Sequence, residues 1–215
     1  MTMPHLILVR HGESELNALN QQRRVYCGQL DTPLTERGRQ QARETGAALA
    51  TSSEWRIQDA ISSQHSRAVE TLTGLLDMMP GPVRRWPASA GLNERSLGYF
   101  EGRSEAEVRE LYPEYGPGGP LSHFDNHYVQ KAPGGENFAE VTARAWPVVA
   151  ALCAEAEADV LVVSHNATLR CILGRALQLA PEEVLNLRIP NAVPVILQRS
   201  ALGTYRLLAG LRGCP

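Results

Sequence analysis

Short, unbroken apolar runs alternate along this chain with longer stretches in which apolar residues recur every three or four positions, the pattern of strands separated by helices. Strands are expected at HLILVR (5–10), DAISS (59–63), VRRW (83–86), ADVLVVSH (158–165), VPVILQ (193–198) and TYRLLA (204–209). A helix over 36–50 follows Thr35, a good N-cap residue, and places Ala42, Thr45, Gly46 and Leu49 on one face. A second, over 67–79, repeats Val69, Leu72, Leu76 and Met79. A third starts near Glu136, lines up Phe138, Val141, Ala145, Val148 and Leu152, and is expected to kink at Pro147. A fourth starts near Ala167 and carries Leu169, Ile172, Leu173, Ala176 and Leu177. This alternation predicts an α/β fold: a mostly parallel sheet of about six strands with helices on both faces.

Residues 100–135 break the rhythm. A short helix over 104–111 leads into YPEYGPGGPLSHFDNHYVQKAPGGEN, rich in glycine, proline, histidine and aromatics. A segment this long without regular structure reads as a cap inserted into a single domain spanning 1–215. His123, Asp125 and His127 would share a face as metal ligands only if SHFDNHY were helical. The neighbouring glycines and prolines favour a lid that faces solvent or touches substrate, so no metal site is assigned.

The 215 residues are 43% hydrophobic and 20% charged, with a formal net charge of -2. Without a global basic excess, neither nucleic acid nor an anionic membrane is an expected partner, and any anion must meet a local positive cluster. Cys27, Cys153, Cys171 and Cys214 are widely spaced and form no C-x-x-C pair. That argues against a zinc site or disulfide framework and for reduced thiols in the cytoplasm. Neither a basic leader with a following apolar run nor a stretch of membrane-spanning length is apparent, so export and insertion are not expected.

In open α/β sheets ligands bind beyond the carboxyl ends of the strands, which makes the polar residues just after apolar runs the candidates for chemistry. Arg10 and His11 follow the first strand, Arg67 opens the second helix, Glu94 follows VRRW and its loop, and Ser164 and His165 end the longest apolar run. The helix after His165 can aim backbone N–H groups at an anion. Two arginines, two histidines and one carboxylate converge by topology. Guanidinium forks match phosphoryl oxygens without a metal. A neutral imidazole can attack phosphorus, and a neighbouring carboxylic acid can protonate the departing oxygen. Taken singly, His11 could be a hydrogen-bonded structural histidine and Glu94 a surface partner of Arg95.

Arg10-His11-Gly12-Glu13 with Asn17 resembles the signature of the histidine phosphatase superfamily, the phosphoglycerate mutase-like fold. GQLDTPLTERGRQQA (28–42), SSQHSRAVET (62–71), LNERSLGYFEG (92–102), PGGENF (133–138) and VLVVSHNATLRCIL (160–173) follow in that family's order. The resemblance implies that His11 is the phosphorylated nucleophile and Glu94 the proton donor, with Arg10, Arg67 and His165 completing a phosphate pocket. It places Ser14, Asn17, Cys27, Gly28 and Asn166 along the substrate site and requires no cofactor. Arg95 and Lys131 are expected to recognise a second acidic group on the substrate.

Asn166 stands where glycine or glutamine commonly follows the second histidine. Leu97 replaces the aromatic of the cofactor-dependent mutases, and the cap has no adjacent arginine pair. The carboxyl-terminal half looks more like the fructose-2,6-bisphosphatase domain. The expected function is therefore metal-independent hydrolysis of small phosphorylated metabolites, with a phosphoglycerate mutase or a noncatalytic phospho-ligand sensor as alternatives. Dimers occur widely in the family, so a homodimer stays open.

Overall fold

Leu6, Ile7, Leu8 and Val9 are all fully buried, because successive side chains of a strand point to opposite faces and here both faces are covered. Leu6 and Leu8 pack with Val160, Val162, Val149, Leu152, Leu169 and Leu173 on one side. Ile7 and Val9 pack with Leu161, Val163, Ala60, Leu49, Leu72 and Leu75 on the other. The computed structural model describes residues 4–200 and 202–211, so Cys214 lies outside it.

In chain order the elements are β1 (His5–Arg10), α1 (Glu15–Leu19), α2 (Glu36–Thr51), β2 (Ile57–Ser62), α3 (Ser66–Leu76), β3 (Arg84–Arg85), α4 (Glu105–Leu111), α5 (Phe138–Glu155), β4 (Asp159–Ser164), α6 (Asn166–Leu177), α7 (Pro181–Asn186), β5 (Pro194–Arg199) and β6 (Tyr205–Ala209). They form one six-stranded sheet in the order β3-β2-β4-β1-β5-β6. The first four strands of that order run parallel, while β5 and β6 are antiparallel additions at one edge. Central β1 and β4 end in register, Arg10 opposite Ser164, so both release their polar residues at one sheet edge. Among the described residues no helix is long and apolar enough to cross a membrane.

Several expectations shift. VRRW pairs over only Arg84 and Arg85, both exposed at the sheet's end. The buried face of α3 is Ala68, Thr71, Leu72 and Leu75; of the expected row Leu72 lies in the core, Leu76 and Met79 pack against it only partly buried, and Val69 is left out. The reason is that Arg67 is buried toward the strand ends and sets the helix's rotation. α5 continues through Pro147 without a break, and its buried row passes through Val149, with Val148 only partly buried. Cys27, Cys153 and Cys171 are free thiols.

The segment 100–135 carries a small core of its own. Phe100, Tyr26, Phe124 and Val108 cluster with Tyr112 and Tyr115, and Phe100 meets Tyr115 edge to face at 4.9 Å. Ser104 caps α4 through a capping box with Glu107. A bridge between Val25 and Ser104 ties this segment to the loop after α1.

The turn after β1 is wedged against the start of α2. A methyl group on Gly38 would sit 2.1 Å from the Glu13 carbonyl oxygen, and one on Gly12 would sit 2.4 Å from the Gly38 carbonyl oxygen. Both obstacles are backbone and cannot swing aside. Gly38→Ala is therefore expected to cost about 2 kcal/mol, lowering the Tm by roughly 4–8 °C for a chain of this size. Differential scanning calorimetry measures it; an unchanged Tm would show that the two backbones do not press on each other.

Candidate active site

The His11 side chain stands at the carboxyl end of β1, 4% exposed. Its backbone N–H donates to Ser164 O at 3.0 Å, which locks the end of β1 to the end of β4. The Gly12 N–H donates to Thr71 Oγ1 at 3.0 Å. Asn191 Nδ2 donates to the His11 carbonyl at 2.7 Å, and the Ala192 N–H donates to the Arg10 carbonyl at 2.8 Å. Ala192 holds a positive φ of 56°, an unusual conformation for a residue with a side chain, and so keeps this brace in place.

The ring of His11 has a defined orientation. Its Nδ1 lies 2.7 Å from the Gly12 carbonyl oxygen. A carbonyl only accepts, so Nδ1 carries the proton and Nε2 keeps its lone pair. Burial, then the Arg10 and Arg67 guanidinium groups, hold the His11 pKa well below its ordinary value. The His165 ring centroid lies 5.1 Å away. Burial lowers the His165 pKa as well, reinforced by His11 and Arg67. His165 Nε2 is 2.7 Å from Ser63 Oγ, and among the described residues its Nδ1 has no hydrogen-bond partner.

Arg67 is 1% exposed and donates to Leu30 O at 2.6 Å and Gly28 O at 3.3 Å. Arg10 donates from Nη1 to Ile189 O at 3.0 Å, while its buried Nε has no partner among the described residues. Burial lowers the Arg10 pKa, partly offset by Glu94. The two guanidinium groups are thus anchored from behind by carbonyls, with donors left over.

Glu94 accepts from the Arg95 N–H at 2.8 Å and from the Ala167 and Thr168 N–H groups at 3.3 Å each. The start of α6 was expected to aim these donors at a ligand. They meet the Glu94 carboxylate instead, the helix N-terminus favouring that negative charge. The surface pairing of Glu94 with the Arg95 guanidinium does not form.

These groups open onto a cavity of about 290 Å³ whose lining includes Arg10, His11, Asn17, Cys27, Gly28 and Arg67. Glu94, Arg95 and Asn166 line it too. Burial raises the Cys27 thiol pKa, so the thiol form dominates near neutral pH. Three expected residues do not line the cavity. His165 is fully buried beside the His11 ring. Ser14 is fully buried and caps α1 reciprocally with Asn17. Lys131 is exposed and pairs with Glu140 at 2.6 Å; the flexible ammonium finds a carboxylate on α5 and never turns inward.

Arg24 and Arg170 on the cavity lining are not singled out from the sequence, and Asp125 is named only within the SHFDNHY lid. Arg170 lies one helical turn after Asn166 in VLVVSHNATLRCIL; Arg24 carries no signal that spacing reveals. Asp125 pairs with Arg95 and Arg24. The His127 ring accepts from the Val129 and Gln130 N–H groups at 3.2 and 3.1 Å. The SHFDNHY segment thus turns as a short 3-10 stretch, Phe124–Asn126, and sends Asp125 and His127 to different partners.

The profile of the histidine phosphatase superfamily (branch 1) matches residues 6–206. The chain is 32% identical over 208 residues to 2,3-bisphosphoglycerate-dependent phosphoglycerate mutase 2 of Gloeobacter violaceus, covering 94% of this chain and 89% of that one. It is 30% identical over 202 residues to the 2,3-bisphosphoglycerate-dependent phosphoglycerate mutase of Brucella melitensis, with 93% and 94% covered. Among solved structures, it is similar to a mycobacterial glucosyl-3-phosphoglycerate phosphatase in complex with VO3, at a TM-score of 0.78 and 26% identity over 96% of this chain and 98% of that one. It is also similar to a putative alpha-ribazole-5'-P phosphatase from Escherichia coli, at a TM-score of 0.77 and 25% identity over 97% of each chain.

The buried histidines make stability depend on pH. The unfolded chain protonates His11 and His165 near their ordinary pKa of 6.5, whereas the fold resists protonation until the pH falls through the lowered values. Their contribution to stability is therefore full above 6.5 and is lost as the pH drops below it. The Tm of the ligand-free protein is expected to fall between roughly pH 6.5 and 5.5, and to fall less steeply in His11→Asn. Equal slopes for the two proteins would contradict the buried, neutral imidazole.

Proposed function

The chain belongs to the histidine phosphatase superfamily, and from that premise we propose that it is a metal-independent phosphomonoesterase acting on small phosphorylated metabolites through a phosphohistidine at His11. The observation that carries this reading is the His11 ring: buried, held neutral among arginines, with Nδ1–H tied to Gly12 and Nε2 left as a nucleophile.

Arg10, Arg67 and His165 bind the phosphoryl oxygens and set phosphorus before Nε2. The Nε2 lone pair forms the bond to phosphorus as the ester P–O bond breaks. Glu94, as the carboxylic acid, gives the leaving oxygen its proton. The Glu94 carboxylate then takes a proton from water, whose oxygen attacks phosphorus and breaks the P–N bond, restoring neutral His11 and releasing phosphate. Asn17 and Asn166 contact the phosphate or leaving group, and Cys27, Gly28 and Arg95 shape the space around it. The modest cavity and the phosphatases among the structural neighbours, one of them also solved with inorganic phosphate, support a small ester as substrate.

A phosphoglycerate mutase is the second reading, favoured by the relatives so named and by three arginines, Arg24, Arg95 and Arg170, beyond the phosphate pocket. Incubation with 3-phosphoglycerate and a bisphosphoglycerate primer separates the two: isomer forming faster than phosphate release would reverse the ranking.

Hydrolysis of p-nitrophenyl phosphate is expected to persist in EDTA and to pass through an acid-labile phosphoenzyme. His11→Ala should lower kcat by at least about 1,000-fold and abolish labelling. Glu94→Gln should lower kcat by about 100-fold or more on an alkyl phosphate, and by less on p-nitrophenyl phosphate, whose leaving group departs without a proton. Wild-type turnover in His11→Ala would end the proposal, and equal losses on both esters would remove Glu94 as the acid.

A further inference from the structure

Beyond the phosphate pocket the cavity is organised around one carboxylate. Asp125 sits in the 3-10 turn Phe124–Asn126. Phe124 anchors that turn, 2% exposed and packed against Phe100 at 5.4 Å and Tyr115 at 5.2 Å. One Asp125 oxygen accepts from Arg95 Nη2 and the other from Arg24 Nη2, the latter at 3.2 Å. Arg95 is 5% exposed and lies 4.8 Å over the Phe138 ring, so its guanidinium cannot swing out to water. Its Nη1 is buried and, among the described residues, has no partner. Arg170 also lies over Phe138, at 4.9 Å, and spends Nε on the Val184 carbonyl at 2.9 Å. Asp125, Arg24 and Tyr26 line both this cavity and an adjoining one of about 370 Å³ under the segment 100–135. Asp125 thus forms the wall between them together with Arg24 and Tyr26, and with Glu94 it supplies the lining's two carboxylates among the described residues.

We propose that Asp125 is a specificity-determining residue: an internal counter-ion on Arg95 and Arg24 that occupies the place a second acidic group of the substrate would take. Arg95 keeps one donor, Nη1, for a neutral acceptor such as a hydroxyl or carbonyl oxygen. A leaving group bearing a carboxylate or second phosphate must approach the buried Arg95 guanidinium against the Asp125 charge, a repulsion that the 43% exposure of the Asp125 side chain screens only in part. Esters with a neutral, hydroxylated leaving group are therefore preferred. This rests on reading the cavity as a phosphomonoesterase site.

Ligand binding in the His11→Ala background tests the assignment without turnover. Calorimetry with ethyl phosphate and with phosphoglycolate, which adds a carboxylate to the same frame, gives an affinity ratio for each protein. Adding Asp125→Asn, which keeps the side chain's size and an acceptor, is expected to shift that ratio toward phosphoglycolate by at least about tenfold. Asp125→Ala should shift it in the same direction. An unchanged ratio in both variants, or parallel weakening of both ligands, would overturn the assignment and leave Asp125 a purely structural tie. A shift in Asp125→Ala alone would also overturn it, since a wall rather than a charge would then be at work. Phosphate release is followed separately with His11 intact: its absence beside a shifted binding ratio would sink the phosphatase reading and leave the Asp125 assignment standing.

Discussion

The architecture depends on burying Arg10, Arg67, His11 and His165 together at the ends of parallel strands, each below the surface or nearly so. Like charges crowded in a poorly solvated place are costly, and the protein reduces the cost by keeping both imidazoles neutral. The guanidinium groups cannot discharge in this way. They lean on carbonyls of Gly28, Leu30 and Ile189, whose partial charges offset them only in part. Glu94 is the carboxylate that acts on Arg10 among the described residues, and it is largely satisfied by the first turn of α6. The pocket is left electropositive with donors unspent, and its charge is matched to an anion.

Such a cluster needs a rigid frame, since a relaxed one would spread its charges apart. β1 and β4 supply it through matched ends and the His11 N–H to Ser164 O bond. Three further contacts hold the exit of β1: Thr71 on the Gly12 N–H, Asn191 on the His11 carbonyl, and the backbone crossing of Gly12, Glu13 and Gly38. They come from α3, from the loop before β5 and from α2, so elements on both sides of β1 converge on a few atoms. The fold and the site are in this sense one problem, because loosening any of the three frees the imidazole that the Gly12 carbonyl orients.

Local patterns made much of this legible. Uninterrupted apolar runs at 6–9 and 160–163 could only be central strands covered on both faces, and the polar residues that follow them had to gather where those strands end. The family pattern then carried Arg67 and Glu94 to the same place. Hydropathy misjudged α3 in part because it treats a buried arginine as a surface residue; the helix turns to sink Arg67, and Val69 loses the core. Ser14 looked like a ligand because cap serines and ligand serines have the same composition. Lys131 looked like an anion-binding group because sequence does not reveal which carboxylate an exposed ammonium will meet, and Glu140 was nearer. Asn191 escaped notice since its role lies in bridging segments 180 residues apart.

The cavity's outer half follows a different logic from its floor. Five arginines line the whole space against two carboxylates, yet the two acids are placed unequally. Glu94 belongs to the helix start beside the reacting centre, whereas Asp125 comes from the aromatic-anchored segment and is bound to side chains rather than backbone. The floor is tied to the sheet and α6, elements that cannot vary without losing the strand ends. The outer half is tied through Phe124 to a separate small core that includes no residue of β1 or β4. On the proposed phosphatase reading, this division leaves the floor to hold the phosphate and gives the choice of leaving group to the side chains that the segment 100–135 sends inward.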